Sequence, residues 1–463
     1  MTTTVADQAG GTWRDLLSRR HLGTIVVLAG GVALYATNIY LTASMLPTIV
    51  ADIGGERFYA WSTTVFLVAS VSSSVVVGRT VARFGARGSY VLALAFFVAG
   101  SVLCAVSPTM AVLLAGRAVQ GVGGGMLSGL GYALIRSSLP ERLWARASAL
   151  ISAMWGVGTL AGPALGGLFG QLRLWQVAFV ALAAAALGLA VLVPKALPRA
   201  RPEGTVMPTP LVSMLLLSAA VLLVSVAGVA EQHTVRIVFL VVAAILVVGF
   251  VARERRAEAR VLPRSTFEHA APTKWIYLFI VVLSIGSTAE AFVPLFGQRL
   301  AGLAPVAAGF LGAVLAAGWT IGEIPAANAV RASAIRRILL AAPLLLGGGL
   351  AVLALTQRAD AGAGTVVVWV LGLLVAGSGI GIAWPHLATK AMGVESGGAE
   401  ADRASAAINT VQLVSNAFGS ALAGLLVNLG GDADTGSARW MFGGVAVLVL
   451  VGALVSRPLT RRA

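Results

Sequence analysis

Residues 117–125 read Arg117-Ala-Val-Gln120-Gly121-Val-Gly123-Gly124-Gly125, and they lie inside a segment, 109–135, that is otherwise apolar. If this segment is one helix, its rise of about 1.5 Å per residue places the Arg117 guanidinium roughly 12 Å inside it. A fixed charge at that depth in a bilayer costs a few kcal/mol, so such residues usually face a polar cavity or a partner group. Glycines beside it let a neighbouring helix approach closely. The stretch therefore indicates a pathway across a membrane.

The composition excludes a soluble globular protein. Of 463 residues, 58% are hydrophobic and 11% are charged, against about 45–50% and 25% in soluble domains. The net charge of +15 does not predict a nucleic-acid partner, because no Lys/Arg run is long enough to form a phosphate-binding face. Cys104 is the single cysteine, and the four histidines have no metal-type spacing. We expect neither a metal nor a cofactor.

Apolar segments recur along the whole chain and predict about fourteen transmembrane helices. With the N-terminus in the cytoplasm, 26 of the 33 basic residues fall in cytoplasmic segments and six in external loops, as the positive-inside rule requires. The first segment is too long for a signal-peptide core and is expected to remain as a helix. The chain is thus predicted to be an all-α, multi-pass protein of a bacterial plasma membrane with both ends cytoplasmic. The segments are 22–50, 58–78, 88–107, 109–135, 148–170, 175–193, 210–230, 235–252, 274–297, 303–327, 336–356, 364–388, 404–429 and 438–456.

The two longest cytoplasmic connections bracket a pair of helices and suggest the domain organisation. A pseudo-symmetric pair of six-helix bundles, with a substrate site between them, is a known transporter plan. The predicted divisions are an N-terminal segment (1–21), a six-helix bundle (22–193), a cytoplasmic linker (194–209), an inserted helix pair (210–252), a cytoplasmic loop (253–273), a second six-helix bundle (274–456) and a cytoplasmic tail (457–463).

The fifth segment carries glycines at every fourth residue. In Gly158-x-x-x-Gly162-Pro163-x-x-Gly166-Gly167, three of them form one flat helix face that favours close packing. Pro163 removes a backbone donor and can bend the helix. A face of small residues that only packs is the alternative to a functional motif.

Together with the Arg117 stretch, which includes Gln120 and Gly121, this segment resembles the major facilitator superfamily, specifically its fourteen-helix drug:proton antiporter branch. The resemblance covers essentially the whole chain, and it implies an exporter that works by alternating access. The loop after the second segment is similar to a third family motif, G-x-L-x-D-R-x-G-R-R. It keeps Gly78, Arg83, Gly85 and Arg87, whereas Ala82 stands where the family has the aspartate that latches the outward-facing state.

A second departure from the family lies in the first segment. The stretch Tyr35-Ala-Thr-Asn38-Ile-Tyr40 has asparagine where related sequences have aspartate. Asparagine is isosteric with aspartate but cannot carry a proton. With Ala82, two positions that the resemblance ties to coupling are neutral, which leaves open whether this chain is driven by protons.

Two acids remain inside predicted spans. Glu290 lies sixteen residues past Lys274, as Asn38 lies sixteen past Leu22, so pseudo-symmetry places both at similar depth beside a cavity. Burial disfavours the charged form of a carboxylate, which suits a reversible proton carrier. The alternative is a structural carboxylate that pairs with Arg299 or accepts hydrogen bonds from Ser287 or Thr288.

The other acid, Glu323, is nearer the cytoplasmic end of its span and can reach water or Arg331. A structural gate pair explains it as well as proton carriage does. Five aromatic residues deep in spans are candidates for lining a cavity for lipophilic substrates, although ordinary packing also explains each one. They are Tyr35, Trp155, Phe292, Trp319 and Trp384.

The predicted function is secondary active export of small lipophilic or cationic molecules by a monomer, with protons as the coupling ion. A dedicated exporter of one metabolite or lipid, or an uncoupled facilitator, is the alternative. An intramembrane enzyme is not expected, because the sequence has no HExxH, no GxSG and no cluster of His or Asp inside spans. A scaffold or sensor would normally carry a soluble domain, and the longest predicted loop has only about twenty residues. A central cavity shared by both halves would favour transport.

Overall fold

The computed structural model describes residues 12–198, 210–268, 271–326, 328–329, 331–393, 398–431, 433–456 and 458. Within these ranges all regular structure is helical. Long helices account for most of it: α1 (Arg19–Ile53), α2 (Tyr59–Val75), α3 (Val77–Ala105), α4 (Met110–Ala133), α5 (Trp144–Gln171), α6 (Trp175–Ala196), α7 (Leu211–Val229), α8 (His233–Arg256), α9 (Thr273–Ser287 and Val293–Ala301, joined by the 3-10 turn Thr288–Phe292), α10 (Pro305–Ala326), α11 (Ala332–Thr356), α12 (Ala363–Gly393), α13 (Gly398–Leu429) and α14 (Asp434–Gly452).

Each of the fourteen predicted segments corresponds to one of these helices. Over the described residues, thirteen are long and apolar enough to cross a membrane, and α5, with 28 residues, is the remaining one. A span needs about 20 residues. The predicted all-α membrane fold is therefore confirmed. The predicted linker lies outside the described residues from 199 onward, as do residues 1–11, 457 and 459–463 of the predicted termini.

Helix packing repeats between the two halves of the chain. In the first half α1 packs on α5, α2 on α4, and α3 on both α4 and α6. In the second half α9 packs on α13, α10 on α12, and α11 on both α12 and α14. Adding eight to each helix number converts the first set into the second, so the two halves are related by pseudo-symmetry.

The two halves meet along two lines of contact related by the same pseudo-symmetry. One is between α2 and α13, the other between α5 and α10, and we call them the α2–α13 seam and the α5–α10 seam. The inserted helices α7 and α8 pack on each other, and α7 also packs on both α2 and α13. The inserted pair therefore lies over one seam and leaves the other uncovered by these two helices.

The sides of the molecule are named from the charge pattern. The side where α1 begins is the predicted cytoplasmic side, and the side where α1 ends is the predicted external side. On the predicted cytoplasmic side, a hydrogen bond from the Thr24 hydroxyl to the Ala196 carbonyl (2.7 Å) joins α1 and α6. On the predicted external side, a hydrogen bond from the Trp175 indole to Asp52 (2.9 Å) joins the same two helices. The helices α1 and α6 thus run antiparallel to each other.

Candidate functional site

Arg117 is a buried centre of hydrogen bonds rather than a side chain open to a cavity. Its guanidinium, in a residue only 1% exposed, donates from Nη1 to Gln120 Oε1 at 2.5 Å and to Asn38 Oδ1 at 3.1 Å. Its Nε donates to the Ser62 carbonyl at 3.3 Å. Because these acceptors belong to α4, α1 and α2, one side chain joins three helices. Of the two surroundings predicted for Arg117, a polar cavity or a partner, the structure shows the partner.

The Arg117 partners among the described residues are all uncharged. Its Cζ lies 4.1 Å from the centroid of the Phe66 ring, a cation–π contact, and Gln120 in turn donates to Ser101 Oγ on α3 at 2.8 Å. Asn38 occupies the position of the family's aspartate, so an amide oxygen stands where a counter-charge would be. Amide and carbonyl oxygens and one aromatic face offset part of the large cost of burying this cation.

Glycines around Arg117 explain how a charged side chain can be enclosed so tightly. A Cβ on Gly121 would lie 2.4 Å from the Phe66 carbonyl oxygen, and one on Gly125 would lie 2.1 Å from the Ser70 oxygen, both on α2. A Cβ on Gly123 would lie 2.3 Å from the Phe97 nitrogen on α3. Real Cβ atoms do not approach so closely, so only glycine allows α2 and α3 this near to α4.

Glu290 lies where α9 loses its regular hydrogen bonding. The helix ends at Ser287, continues as the 3-10 turn Thr288–Phe292 and resumes at Val293, one residue before Pro294. A 3-10 stretch inside a helix often marks a functional hinge, and irregular backbone inside a membrane is tolerated where it lines a cavity or is buried in protein.

A cavity of about 40 Å³ lies beside this break, room for a few water molecules. Both halves of the chain form its wall, which is the arrangement that a transport site requires. The first half contributes Ile39, Tyr40, Ala43, Ser44, Thr63 and Pro163, and the second contributes Glu290, Ala291, Pro294, Gly309, Gly312 and Ala313. We call it the Glu290 cavity.

The three structural partners considered for Glu290 are engaged elsewhere. Arg299 binds Glu56 and Asp434, the latter at 3.0 Å, while the Ser287 and Thr288 hydroxyls donate to the Ser284 and Ile285 carbonyls at 2.8 and 2.7 Å. No described side chain donates a hydrogen bond to the Glu290 carboxylate, which is partly exposed in the cavity wall. The geometry therefore gives no support to a structural ion pair at Glu290.

The structure places the five predicted lining aromatics outside the Glu290 cavity wall. Tyr35 is fully buried, with its ring 5.6 Å from both Phe66 and Trp155. Phe292 is also buried and packs on Tyr59 at 5.3 Å. Apolar packing holds these two rings in the helix interfaces, whereas Trp155, Trp319 and Trp384 are half-buried. The aromatic residue that does line the cavity is Tyr40, two residues beyond Asn38, which sequence reasoning missed although the quoted stretch contains it.

Glu323 belongs to a separate group near the predicted cytoplasmic side. Its Oε2 accepts a hydrogen bond from the Trp319 indole at 3.0 Å, and the Trp319 ring lies 5.2 Å from that of Trp384 on α12. Within the described part of the chain, Glu323 forms no salt bridge with Arg331. Glu323 thus holds an aromatic pair at the end of α10 in this conformation.

The glycine face of α5 packs directly on α1. A Cβ on Gly158 would lie 2.6 Å from Ala36 Cβ, one on Gly162 would lie 2.4 Å from Tyr40 Cβ, and one on Gly166 would lie 2.3 Å from the Leu41 oxygen. Gly167, on the neighbouring stripe, meets Val306 of α10 in the same way. The motif therefore brings α5 against the helix that carries Asn38 and Tyr40.

We expect Gly162→Leu and Gly166→Leu each to reduce export to a small fraction of the wild-type level, because the new side chain forces α1 and α5 apart. Overpacking of this kind typically costs about 1–3 kcal/mol. The measurement is dye export by membrane vesicles, normalised to the amount of protein in the membrane. Gly188→Leu on α6 is the matched control, since a Cβ there would meet nothing within 4 Å. Full activity in the two α5 variants would contradict a packing role.

The loop motif at 78–87 is held by backbone geometry and by Arg87. Gly85 has φ 70° and ψ 176°, which separates the loop turns from the membrane part of α3 and favours glycine. Arg87 donates to the carbonyls of Pro194 and Leu197, the latter at 3.1 Å, and so ties the loop to the end of α6. Arg83 lies over the Phe84 ring. Gly78 has open space around its Cα.

The two halves are in contact on the predicted external side of the Glu290 cavity. Arg299 of α9 bridges Glu56, before α2, and Asp434 of α14. At the level of the cavity, Thr64 of α2 donates to Ser420 of α13 at 3.1 Å. On the predicted cytoplasmic side, Leu160 of α5 and Ile324 of α10 are exposed instead. The halves are therefore in contact externally, while α5 and α10 are not packed against each other at these two side chains.

Known proteins resemble this chain in sequence. The family profile described as "Major Facilitator Superfamily" matches residues 28–208. A "probable multidrug-efflux transporter" of Mycobacterium tuberculosis (strain ATCC 25618 / H37Rv) is 50% identical over 469 residues, with 100% of this chain and 99% of the relative covered. "Multidrug resistance protein 3" of Bacillus subtilis (strain 168) is 24% identical, with 82% of this chain and 75% of the relative covered.

Solved structures share the fold at low sequence identity. The crystal structure of a POT family transporter in complex with a thioalcohol conjugated peptide has a TM-score of 0.68 at 12% identity, covering 95% of this chain and 96% of that one. The xylose transporter XylE from E. coli, in a partially occluded inward open conformation, has a TM-score of 0.58 at 13% identity, covering 94% and 97%.

Proposed function

The chain belongs to the major facilitator superfamily of membrane transporters, and from that premise we propose that it exports small lipophilic or cationic molecules in exchange for protons. The 50% identical relative, a probable multidrug-efflux transporter, supports export of drug-like compounds. We further propose that the protein works by alternating access in the bacterial plasma membrane, as a monomer with both termini in the cytoplasm and with the domain divisions predicted from the sequence.

The observation that carries this proposal is the position of Glu290. A carboxylate at a break in α9 faces a cavity whose wall comes from both halves of the chain. Transport sites of such proteins lie where discontinuous helices meet at the interface between repeats. A titratable group at this place can bind a proton or a cationic substrate from one side and release it to the other.

The surroundings of the cavity favour lipophilic substrates. Apart from Glu290, its wall is formed by aliphatic, proline and glycine residues, one tyrosine and two hydroxyl side chains. No described Lys or Arg lines it, so nothing in the wall competes for the carboxylate. A molecule with an apolar body and one positive charge matches the chemistry of this wall, and the cavity of about 40 Å³ would have to widen to hold it.

The neutral side chain of Asn38 supports the alternative of a transporter that is not coupled to protons. Arg117 binds an amide here, whereas an aspartate would add a second titratable group beside the same centre. If Glu290 does not carry a proton, the same fold would act as a facilitator, or as a dedicated exporter of one metabolite or lipid.

Proton flux in proteoliposomes tests the proposal. The purified protein is reconstituted with a pH-sensitive dye in the lumen and challenged with a panel of lipophilic cations, neutral antibiotics and sugars. We expect lipophilic compounds, and not sugars, to move protons opposite to their own movement. Transport of a compound with no proton movement would support the facilitator, and transport of a single compound from the panel would support the dedicated exporter.

A further inference from the structure

The α5–α10 seam is closed on the predicted external side. A Cβ on Gly167 would lie 2.5 Å from Val306 Cα, and one on Gly309 would lie 3.1 Å from the Pro163 carbonyl oxygen. Pro163 and Gly309 are also part of the Glu290 cavity wall. This part of the seam is therefore the outer end of the cavity.

On the predicted cytoplasmic side of the cavity, α5 and α10 separate. Leu160 lies seven residues before Gly167, hence on the same stripe of α5, and it is 68% exposed. A Cβ on Gly156, one turn further along, would meet no atom within 4 Å. On α10, Ala317 and Ile324 continue the stripe of Gly309 and are exposed as well. The two helices thus leave a gap bordered by apolar side chains along this seam on the predicted cytoplasmic side, and we call it the α5–α10 opening.

At the same level the α2–α13 seam is covered by the inserted pair, and it contains only a void of about 10 Å³, room for at most one water molecule. Val71 of α2 and Leu413 of α13 are buried in one cluster with Met214 and Leu217 of α7 and Val261 of the loop after α8. Ser72 and Ser218 hydrogen-bond at 3.1 Å between α2 and α7. Since pseudo-symmetry relates the two seams, the inserted pair is what makes them different.

A buried carboxylate, that of Glu254, holds together the residues that cover the α2–α13 seam. Glu254, at the end of α8 and 0% exposed, accepts a hydrogen bond from the Ser213 hydroxyl of α7 at 2.6 Å. Its other oxygen accepts from the Val261 and Leu262 backbone nitrogens, each at 2.9 Å. Three donors satisfy this side chain, and they connect α7, α8 and the loop that carries Val261.

We propose that the inserted pair seals the α2–α13 seam, with Glu254 as its fastening, and that lipophilic substrates pass from the adjoining bilayer leaflet into the Glu290 cavity through the α5–α10 opening. The proposal rests on the proposed function for the substrate, whereas the seal is a property of the fold. Apolar side chains that border an opening to a cavity offer a path for a molecule dissolved in acyl chains.

The test is thiol labelling of full-length protein in proteoliposomes, in a Cys104→Ala background that leaves no other cysteine. Single cysteines are placed at Leu160 and Ala317 on the open seam, and at Val71 and Leu413 on the sealed seam. A lipid-soluble pyrene maleimide is the probe. We expect the first two to react at least about tenfold faster, since a buried thiol reacts only through local opening. Equal rates at both seams would overturn the seal.

Glu254 variants test the fastening. Glu254→Leu should raise labelling at Val71→Cys and Leu413→Cys towards the rate of the open seam. Glu254→Gln should not, because a glutamine oxygen can accept both backbone N–H groups while its amide donates to Ser213. Unchanged labelling in Glu254→Leu, in protein that remains folded by size-exclusion chromatography, would overturn the role of this residue.

A transport assay tests the substrate path separately. Leu160→Trp should narrow the α5–α10 opening and slow export of a membrane-partitioning dye, while Gly188→Trp on α6 serves as the control. Unchanged dye export in Leu160→Trp would overturn entry through this seam. Thiol labelling does not require transport. If the protein exports no compound, the proposed function is wrong, but the labelling rates still test the seal.

Discussion

Glu290→Gln is expected to abolish export driven by a pH gradient while leaving binding of a neutral lipophilic substrate intact. Glutamine has nearly the same size as glutamate but does not titrate, and no described side chain pairs with the carboxylate, so its loss leaves no partner unsatisfied. Downhill exchange of substrate should persist, because exchange requires no proton release. The measurements are proton-driven export and substrate exchange in proteoliposomes, and equilibrium binding to the purified variant.

Glu323→Gln is the matched control for this experiment. Glu323 is the other acid predicted inside a span, on α10, but it accepts a hydrogen bond from Trp319 and is not part of the Glu290 cavity wall. We expect this variant to retain coupled export. Unchanged pH-driven export in Glu290→Gln would contradict its assignment as proton carrier, and loss of coupling in Glu323→Gln alone would transfer the role to α10.

The helices could be predicted from the sequence because each signal for them is local. An apolar run of about 20 residues and the loop charges beside it fix a span without reference to the rest of the fold. The packing face of α5 could also be predicted, since glycines at every fourth residue define it. Which helix that face meets is a tertiary fact, supplied by Ala36 and Tyr40.

The break in α9 shows where such reasoning ends. The sequence around Glu290 reads as one continuous span, and Pro294 marks only a place where a helix can restart. The turn at Thr288 is fixed by its neighbours: Gly419 of α13 is so near that a Cβ would lie 2.6 Å from the Thr288 hydroxyl oxygen. Contacts between distant segments decide the local backbone here, and a single sequence does not display them.

The surroundings of buried polar groups were the least predictable part. Arg117 was identified as important, but its contact with Phe66 and its bond to the Ser62 carbonyl depend on how α2 crosses α4. Glu254 was counted with the charged loop after α8, although it is buried. In the sequence it is flanked by Arg253, Arg255 and Arg256, and only the loop that folds back from Val261 encloses it.

Arg117→Ala is expected to reduce export to background while the protein still folds and reaches the membrane. The substitution leaves three neutral acceptors, on Asn38, Gln120 and Ser62, rather than an unpaired charge. Breaking a buried pair is most costly when the group left behind is charged, and removal of the guanidinium also removes its own desolvation cost. Folding should therefore tolerate a change that turnover does not.

Turnover should depend on Arg117 because the side chain fixes α1 relative to α2 and α4. Tyr40, which lines the Glu290 cavity, lies on the same helix as Asn38, and Thr63 of the cavity wall follows Ser62 directly on α2. Arg117→Lys should restore little, since an ammonium lacks the planar fork that donates in two directions at once. Cys104→Ala, a buried neighbour on α3, is the control for disturbed packing. The measurement is export per amount of protein in the membrane. If Arg117→Ala exports at the rate of the Cys104→Ala control, the cavity wall keeps its geometry without the hydrogen bonds of Arg117.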